Sequence, residues 1–224
     1  ISKEIEADST SLMNAFLNPS FLAESGTDSL NILGHFIPNT YEFYWDTSAK
    51  AFAERMQKEY KAFWNEKRRE KATAQGLTPE QVMILASIVQ KETYMTDERP
   101  TIAGVYLNRL KERMPLQADP TVVYAIKETT GNYDTIIKRV YIKDTQIASP
   151  YNTYQIQGLP PAPIAMPDIS SIEAVLSPKE HEYLFFVADT ARIGYHKFAR
   201  TLQEHNKNRQ AYRKWLDKRL MTND

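Results

Sequence analysis

Residues 78–92 constrain this chain more than any other stretch. Thr78 stands where an N-cap belongs, Pro79 suits the first helical position, and Gln81 completes a Thr-x-x-Gln capping box. The run Val82-Met83-Ile84-Leu85-Ala86-Ser87-Ile88-Val89 is apolar almost all round the helical circumference. A helix with no polar face has to be buried. The sequence therefore predicts a central hydrophobic helix that ends in Gln90-Lys91-Glu92.

That ending draws attention to Glu92. It lies three residues after Val89 and four after Ile88, offsets that place it on or beside the buried stripe. Apolar walls disfavour an ionised carboxylate and raise its pKa, which suits a general acid at neutral pH. The plain alternative is a surface glutamate in the last helical turn, paired with lysine or solvent.

Other elements follow from the same periodicities. Ser11–Leu17 has helical spacing and stops at Asn18-Pro19, and a second short helix is expected from Pro19 to about Ser25. His35 to Trp45, aromatic-rich and broken by Pro38, reads as an extended or looped segment. One long amphipathic helix is expected from Ser48 to about Ala74, with Phe52, Met56, Tyr60 and Phe63 inward. A helix from Thr101 to about Arg113 turns Ile102, Val105, Tyr106 and Leu110 inward, and Asp119 is the expected N-cap of the next. Residues 129–168 are rich in turns, proline and tyrosine and read as an ordered, substrate-lining loop. A short helix with a Ser-x-x-Glu box covers 170–176, Tyr183–Ala188 reads as a strand with Tyr195–Phe198 as its hairpin partner, and a last helix starts near Leu202.

Composition excludes several classes of function. With 28 basic and 28 acidic residues the net charge is zero, so no bulk field for nucleic acid or anionic lipid is present. The absence of cysteine removes thiol chemistry and Cys-ligated metal. The four histidines, His35, His181, His196 and His205, include no i, i+4 pair, so neither a metal nor a cofactor is expected. No run of apolar residues is long enough to span a bilayer.

Tyr151-Asn152-Thr153-Tyr154 is a dense polar and aromatic cluster. Tyrosine rings stack on sugar faces and amides bond hydroxyl and N-acetyl groups; Asn152 closing a turn over packed rings is the other reading. Glu98 and Arg99 at a helix restart are either capping groups or supports for Glu92 or a bound sugar. His196 and His205 are assigned no chemistry.

Taken in order, several stretches resemble the MltG/YceG-like endolytic transglycosylase family. These are Ile84–Thr93 with Glu98-Arg99-Pro100, Ala103–Leu110, Met114–Val122, Ser149–Tyr154, Gly158–Ile164, Tyr183–Ala188 with His196-Lys197-Phe198, and His205-Asn206. Gly34–Tyr41 resembles the segment that precedes the family's catalytic domain. The resemblance implies an α+β fold: a helical, lysozyme-like catalytic core with a small antiparallel sheet and flanking N-terminal helices. It also implies a division into residues 1–75, the helical tail of a LysM-like or linker region, and a catalytic domain over 76–224. Glu92 falls on the family's catalytic glutamate, the second acidic position of Val-Glu-Lys-Glu-Thr. The first acidic position is Gln90 here. Residues 90 and 92 lie about 200° apart on a helix, so the departure is not expected to touch the chemistry.

By the same resemblance, Gln117, Asp119, Thr121, Tyr151, Asn152, Thr153 and Tyr154 are candidates for holding the glycan, with Glu98 and Arg99 supporting. The expected substrate is peptidoglycan, cut to leave 1,6-anhydro-MurNAc ends, with cell-wall synthases as partners. A hydrolytic muramidase and a non-catalytic peptidoglycan-binding module are the alternatives. An anchor upstream of Ile1 would hold the catalytic part at the periplasmic face of the inner membrane. An aminodeoxychorismate lyase would need a Schiff-base lysine and a phosphate cradle, and no phosphate-cradling glycines accompany Lys91 or Lys197.

Overall fold

A computed structural model describes residues 1–221; the end of the expected catalytic domain, 222–224, lies outside them. The fold is α+β. The elements are α1 (Ser9–Phe16), α2 (Pro19–Ser25), α3 (Ala49–Phe63), α4 (Glu66–Ala74), α5 (Pro79–Glu92), α6 (Arg99–Lys111), α7 (Asp119–Thr130), α8 (Ile169–Leu176), β1 (Phe185–Ala188), β2 (His196–Ala199) and α9 (Leu202–Met221).

The core is built on α5, as its sequence requires. Thr78 accepts from the Gln81 backbone N–H while the Gln81 side chain accepts from the Thr78 N–H, closing the capping box. Val82 through Val89 are all buried. Burying a large apolar side chain is worth roughly 1.5–3 kcal/mol, so this helix organises the molecule around itself. It packs on α6, α7 and α8, and its only interior hydroxyl, that of Ser87, accepts from the Ile164 N–H and donates to the Ile84 carbonyl.

The sequence predicts one helix over 48–74, and the structure has two. Trp64 is 1% exposed, and the chain breaks there to bury the indole. Asn65 then caps α4 by accepting from the Arg68 N–H. The Arg68 guanidinium closes the corner, donating to the Phe63 carbonyl and to Glu173 on α8. A smaller cluster of Ile5, Leu12, Phe52 and Met56 packs α1 against the first half of α3, while Tyr60, Trp64 and Ala72 belong to the main core.

Three helix starts also differ from expectation. The first turn of α6 begins at Arg99 rather than Thr101. Ala118, not Asp119, is the N-cap of α7, so the Asp119 carboxylate is left for other work. The cap of α8 is Asp168, which accepts from the Ser171 N–H, rather than the predicted box at Ser170.

β1 and β2 form an antiparallel hairpin in which Phe185 faces Ala199 and Ala188 faces His196, within a residue or two of the predicted strands. Phe186 packs edge-on against Tyr106, with ring centroids 6.0 Å apart, and so seats the hairpin on α6. Behind it, the 179–181 segment passes so close to Gly104 that a Cβ there would lie 2.7 Å from the Lys179 carbonyl oxygen. Among the described residues no helix is long and apolar enough to cross a membrane.

Candidate active site

The C-terminal end of α5 opens into a groove of about 730 Å³. Its walls are α7 from Asp119 to Lys127, the loop over residues 133–140, and the Ile164-Ala165 segment. Glu92, half-buried, lies on the floor. One carboxylate oxygen accepts from the Tyr106 hydroxyl at 2.5 Å, and Tyr106 is itself 1% exposed.

Burial sets the acidity of this carboxyl. Loss of solvation pushes the Glu92 pKa up from 4.5 to about 7, and the nearby charge of Asp119 pushes the same way. The Tyr106 hydrogen bond, His196 and Arg109 pull it down and do not prevail. A carboxylic acid that titrates near neutrality can both give and take a proton under physiological conditions.

Two neighbours of Glu92 escape sequence reasoning. Tyr106 is legible only as a core residue, although a buried phenol needs a hydrogen-bond partner, and that requirement is the signal that would have found it. Arg109, one turn further along α6, is 7% exposed. It donates through Nε to the Leu184 carbonyl and through Nη1 to those of Leu116 and Pro115. Its guanidinium also lies 5.3 Å from the centre of the Phe185 ring. One cation thus ties α6 to the hairpin and to the strap leading into α7.

The predicted binding residues divide into two groups. Asp119 lines the groove beside Glu92, and the Tyr154 hydroxyl, just behind it, donates to the Asp119 carboxylate at 2.7 Å. Tyr151, Asn152, Thr153 and Thr121 do not face the groove as expected: all four are at most 5% exposed. The Asn152 amide donates to the Thr145 and Ile147 carbonyls. The Thr153 hydroxyl accepts from the Ala118 N–H and pairs with that of Thr121, which caps the Ala118 carbonyl. Tyr151 packs on Tyr124, with centroids 4.6 Å apart. The side chains of Asn152, Thr153 and Thr121 are thus bonded within the protein, away from the groove lining. Gln117 is exposed in a left-handed conformation (φ 47°) and does not line the groove. Its N–H donates to the Thr153 carbonyl, so it too joins the strap to the wall.

Nor do Glu98 and Arg99 touch Glu92. The Glu98 carboxylate accepts from the His196 N–H and pairs with His196 Nδ1, locking the hairpin to the start of α6. Arg99 pairs with Asp168 at the cap of α8. Gln90 works on the other face of α5: its amide donates to the Met166 carbonyl and accepts from the Asp168 N–H. The residue that departs from the family pattern is therefore a structural clip, away from the groove. The loop over 133–140, a wall of the groove, lies within the stretch expected to line substrate, whereas its second half, around 151–153, is interior.

Replacing Tyr106 by Phe removes a donor that stabilises the ionised carboxylate. The Glu92 pKa is then expected to rise further, moving the alkaline limb of the pH–rate profile upward. On the reading of Glu92 as a general acid, loss of one charge-assisted hydrogen bond is also expected to lower the neutral rate about tenfold. A pH–rate profile of the variant identical to that of the parent chain would contradict this role for the hydroxyl.

Residues 2–211 match the YceG-like family. The chain is 38% identical over 180 residues to an endolytic murein transglycosylase of Bacillus subtilis, a match covering 80% of this chain and 47% of the relative. It is 31% identical over 179 residues to the protein of the same description in Streptococcus pneumoniae, covering 78% of this chain and 31% of that one. The chain thus spans half or less of the length of these curated relatives. The crystal structure of a YceG-like protein from Listeria monocytogenes superposes with a TM-score of 0.72 at 34% identity, over 88% of this chain and 66% of that one. The family match covers residues 2–211 of the 224-residue chain: it is a member of the YceG-like family.

Proposed function

We propose that this chain is the catalytic part of an endolytic murein transglycosylase and that Glu92 is its single acid–base group. The observation that carries the proposal is the Glu92 carboxyl in a groove of about 730 Å³, held by the Tyr106 hydroxyl and with its pKa pushed up to about 7 by burial. The description shared by the relatives from Bacillus subtilis and Streptococcus pneumoniae supports the same reaction.

In the proposed reaction, protonated Glu92 gives its proton to the glycosidic oxygen as the bond from MurNAc C1 to that oxygen breaks. The leaving GlcNAc departs as an alcohol. The resulting carboxylate takes the proton of the MurNAc C6 hydroxyl while its oxygen bonds to C1. Glu92 ends protonated again, no water is consumed, and the product carries a 1,6-anhydro ring. Intramolecular attack gains its advantage from proximity. In this scheme Tyr106 orients the carboxyl, Tyr154 holds Asp119 toward the groove, and the exposed rings of Tyr94 and Tyr133 offer stacking faces to sugars.

Asp119 supports a second reading. A second carboxylate in the same groove is what a hydrolytic muramidase needs to activate water. Mass spectrometry of the products from purified sacculi separates the two. The transglycosylase reading expects muropeptides lighter by one water at their reducing ends; fully hydrated ends establish hydrolysis instead.

The division into residues 1–75 and 76–224 is proposed on the same footing, with the groove built by the second part. Attachment to the inner membrane, a periplasmic position and work alongside cell-wall synthases are part of this reading.

A further inference from the structure

The groove is more basic than the chain that forms it. Overall the charges cancel, yet the lining includes Lys91, Lys127, Lys138 and Arg139 against two acidic residues, Glu92 and Asp119. Among the described residues none of these four cations forms an ion pair with a carboxylate. Lys127 donates to the Tyr133 carbonyl, and Arg139 lies 5.5 Å from the centre of the Tyr141 ring. Glu128 and Asp134 belong to the same stretch of chain and do not line the groove.

Helix ends explain only half of this. Lys91 and Lys127 stand in the last turns of α5 and α7, where a cation favours the helix dipole. Lys138 and Arg139 stand in a loop and are exposed, so the dipole gives no reason for them. Lysine and arginine can donate to sugar hydroxyls, but four cations gathered in one groove also suit a ligand that carries carboxylates beside its sugars.

We propose that Lys91, Lys127, Lys138 and Arg139 form a carboxylate-binding rim that recognises the acidic peptide side chains of a glycan lying in the groove. This rests on the reading of the groove as the glycan site. The rim makes strands with free peptide carboxylates better substrates than strands of the same length whose peptides are amidated, by capturing carboxylates while the sugars cross Glu92. Exposed charge contacts are individually weak and are screened by salt, so the preference arises from the cluster and fades at high ionic strength.

The test compares glycan strands of matched length whose peptide carboxylates are either free or amidated, at low and high salt. Amidation removes the charge and leaves each peptide on its sugar, so no free lactyl carboxylate takes its place. The intact protein is expected to favour the free-carboxylate strands about tenfold in kcat/KM at low salt, and much less at high salt. Lys138→Gln combined with Arg139→Gln, folded as judged by circular dichroism, is expected to bring the ratio of the two kcat/KM values close to one. Equal rates on both strands, or an undiminished ratio in the double variant, would overturn the proposal. If the parent chain cuts neither strand, the enzymatic reading fails. The rim is then judged by co-sedimentation of the Glu92→Gln protein with the two kinds of strand: preferential binding to free-carboxylate strands upholds it, and equal binding overturns it.

Discussion

Glu92→Gln is expected to abolish release of anhydro-muropeptides from purified sacculi, with a fall in kcat of about 10³-fold or more, in the range a general acid–base group contributes. The variant is also expected to be more stable than the parent chain in mild alkali. Burial raises the Glu92 pKa from 4.5 to about 7. A raised carboxyl favours the folded state fully below pH 4.5, and that contribution is lost as pH climbs through 7. Glutamine cannot ionise, and its carbonyl can still accept from Tyr106. The stability gap is therefore expected to be small at pH 4 and to grow toward about 3 kcal/mol at pH 8, the free-energy equivalent of the shift. Thermal melts of both proteins at the two pH values check the sign. Opposite effects on activity and stability are expected of a residue kept for chemistry; a glutamate kept for structure would lose both together.

Arg109→Ala should have the largest effect on folding. The guanidinium satisfies the carbonyls of Leu184, Leu116 and Pro115 from a nearly buried position. Removing it leaves buried acceptors without a donor and empties the space beside Phe185. Each unsatisfied group costs about 1–3 kcal/mol, so a loss of roughly 3–5 kcal/mol is expected, or a melting point about 10 °C lower for a chain of this size. The damage should be local first. The hairpin and the 114–118 strap lose their shared tie, and faster amide exchange at Leu184 and Leu116 would show it. Arg109→Lys should recover little of this, because one ammonium cannot span three carbonyls in the fork geometry of a guanidinium. A melting point within two or three degrees of the parent would remove Arg109 as the tie between α6, the hairpin and α7.

How much of this could be read from the sequence depended on the range of the interactions involved. The capping box at Thr78 and the apolar run to Val89 are local signals, and α5 forms where they place it, carrying Glu92 onto the groove floor. The hairpin is local as well, and Phe185–Ala188 pairs with His196–Ala199 close to the expected positions. The break at Trp64-Asn65 was not legible, because it depends on burying one indole against a distant core and on Arg68 reaching Glu173. Tyr151 to Thr153 look like a sugar platform in sequence. Their burial is decided by Thr145, Ile147, Ala118 and Thr121, which come together with them only in the folded chain. Tyr106 and Arg109 share one helix face with core residues, so periodicity identified the face and not the partners. Gln90 and Glu92 show the reverse case: helical geometry alone separated them, and the structure gives each its own face and task.

The proposed reaction turns on the protonation state of one carboxyl. Carbon-13 NMR of the protein labelled at glutamate side-chain carboxyls, with the Glu92 resonance identified by its absence in Glu92→Gln, measures it directly. A titration midpoint near 7 is the predicted result. A midpoint near 4.5, the value of a free glutamate, would mean that Glu92 is ionised at neutral pH and cannot supply the proton that bond cleavage requires.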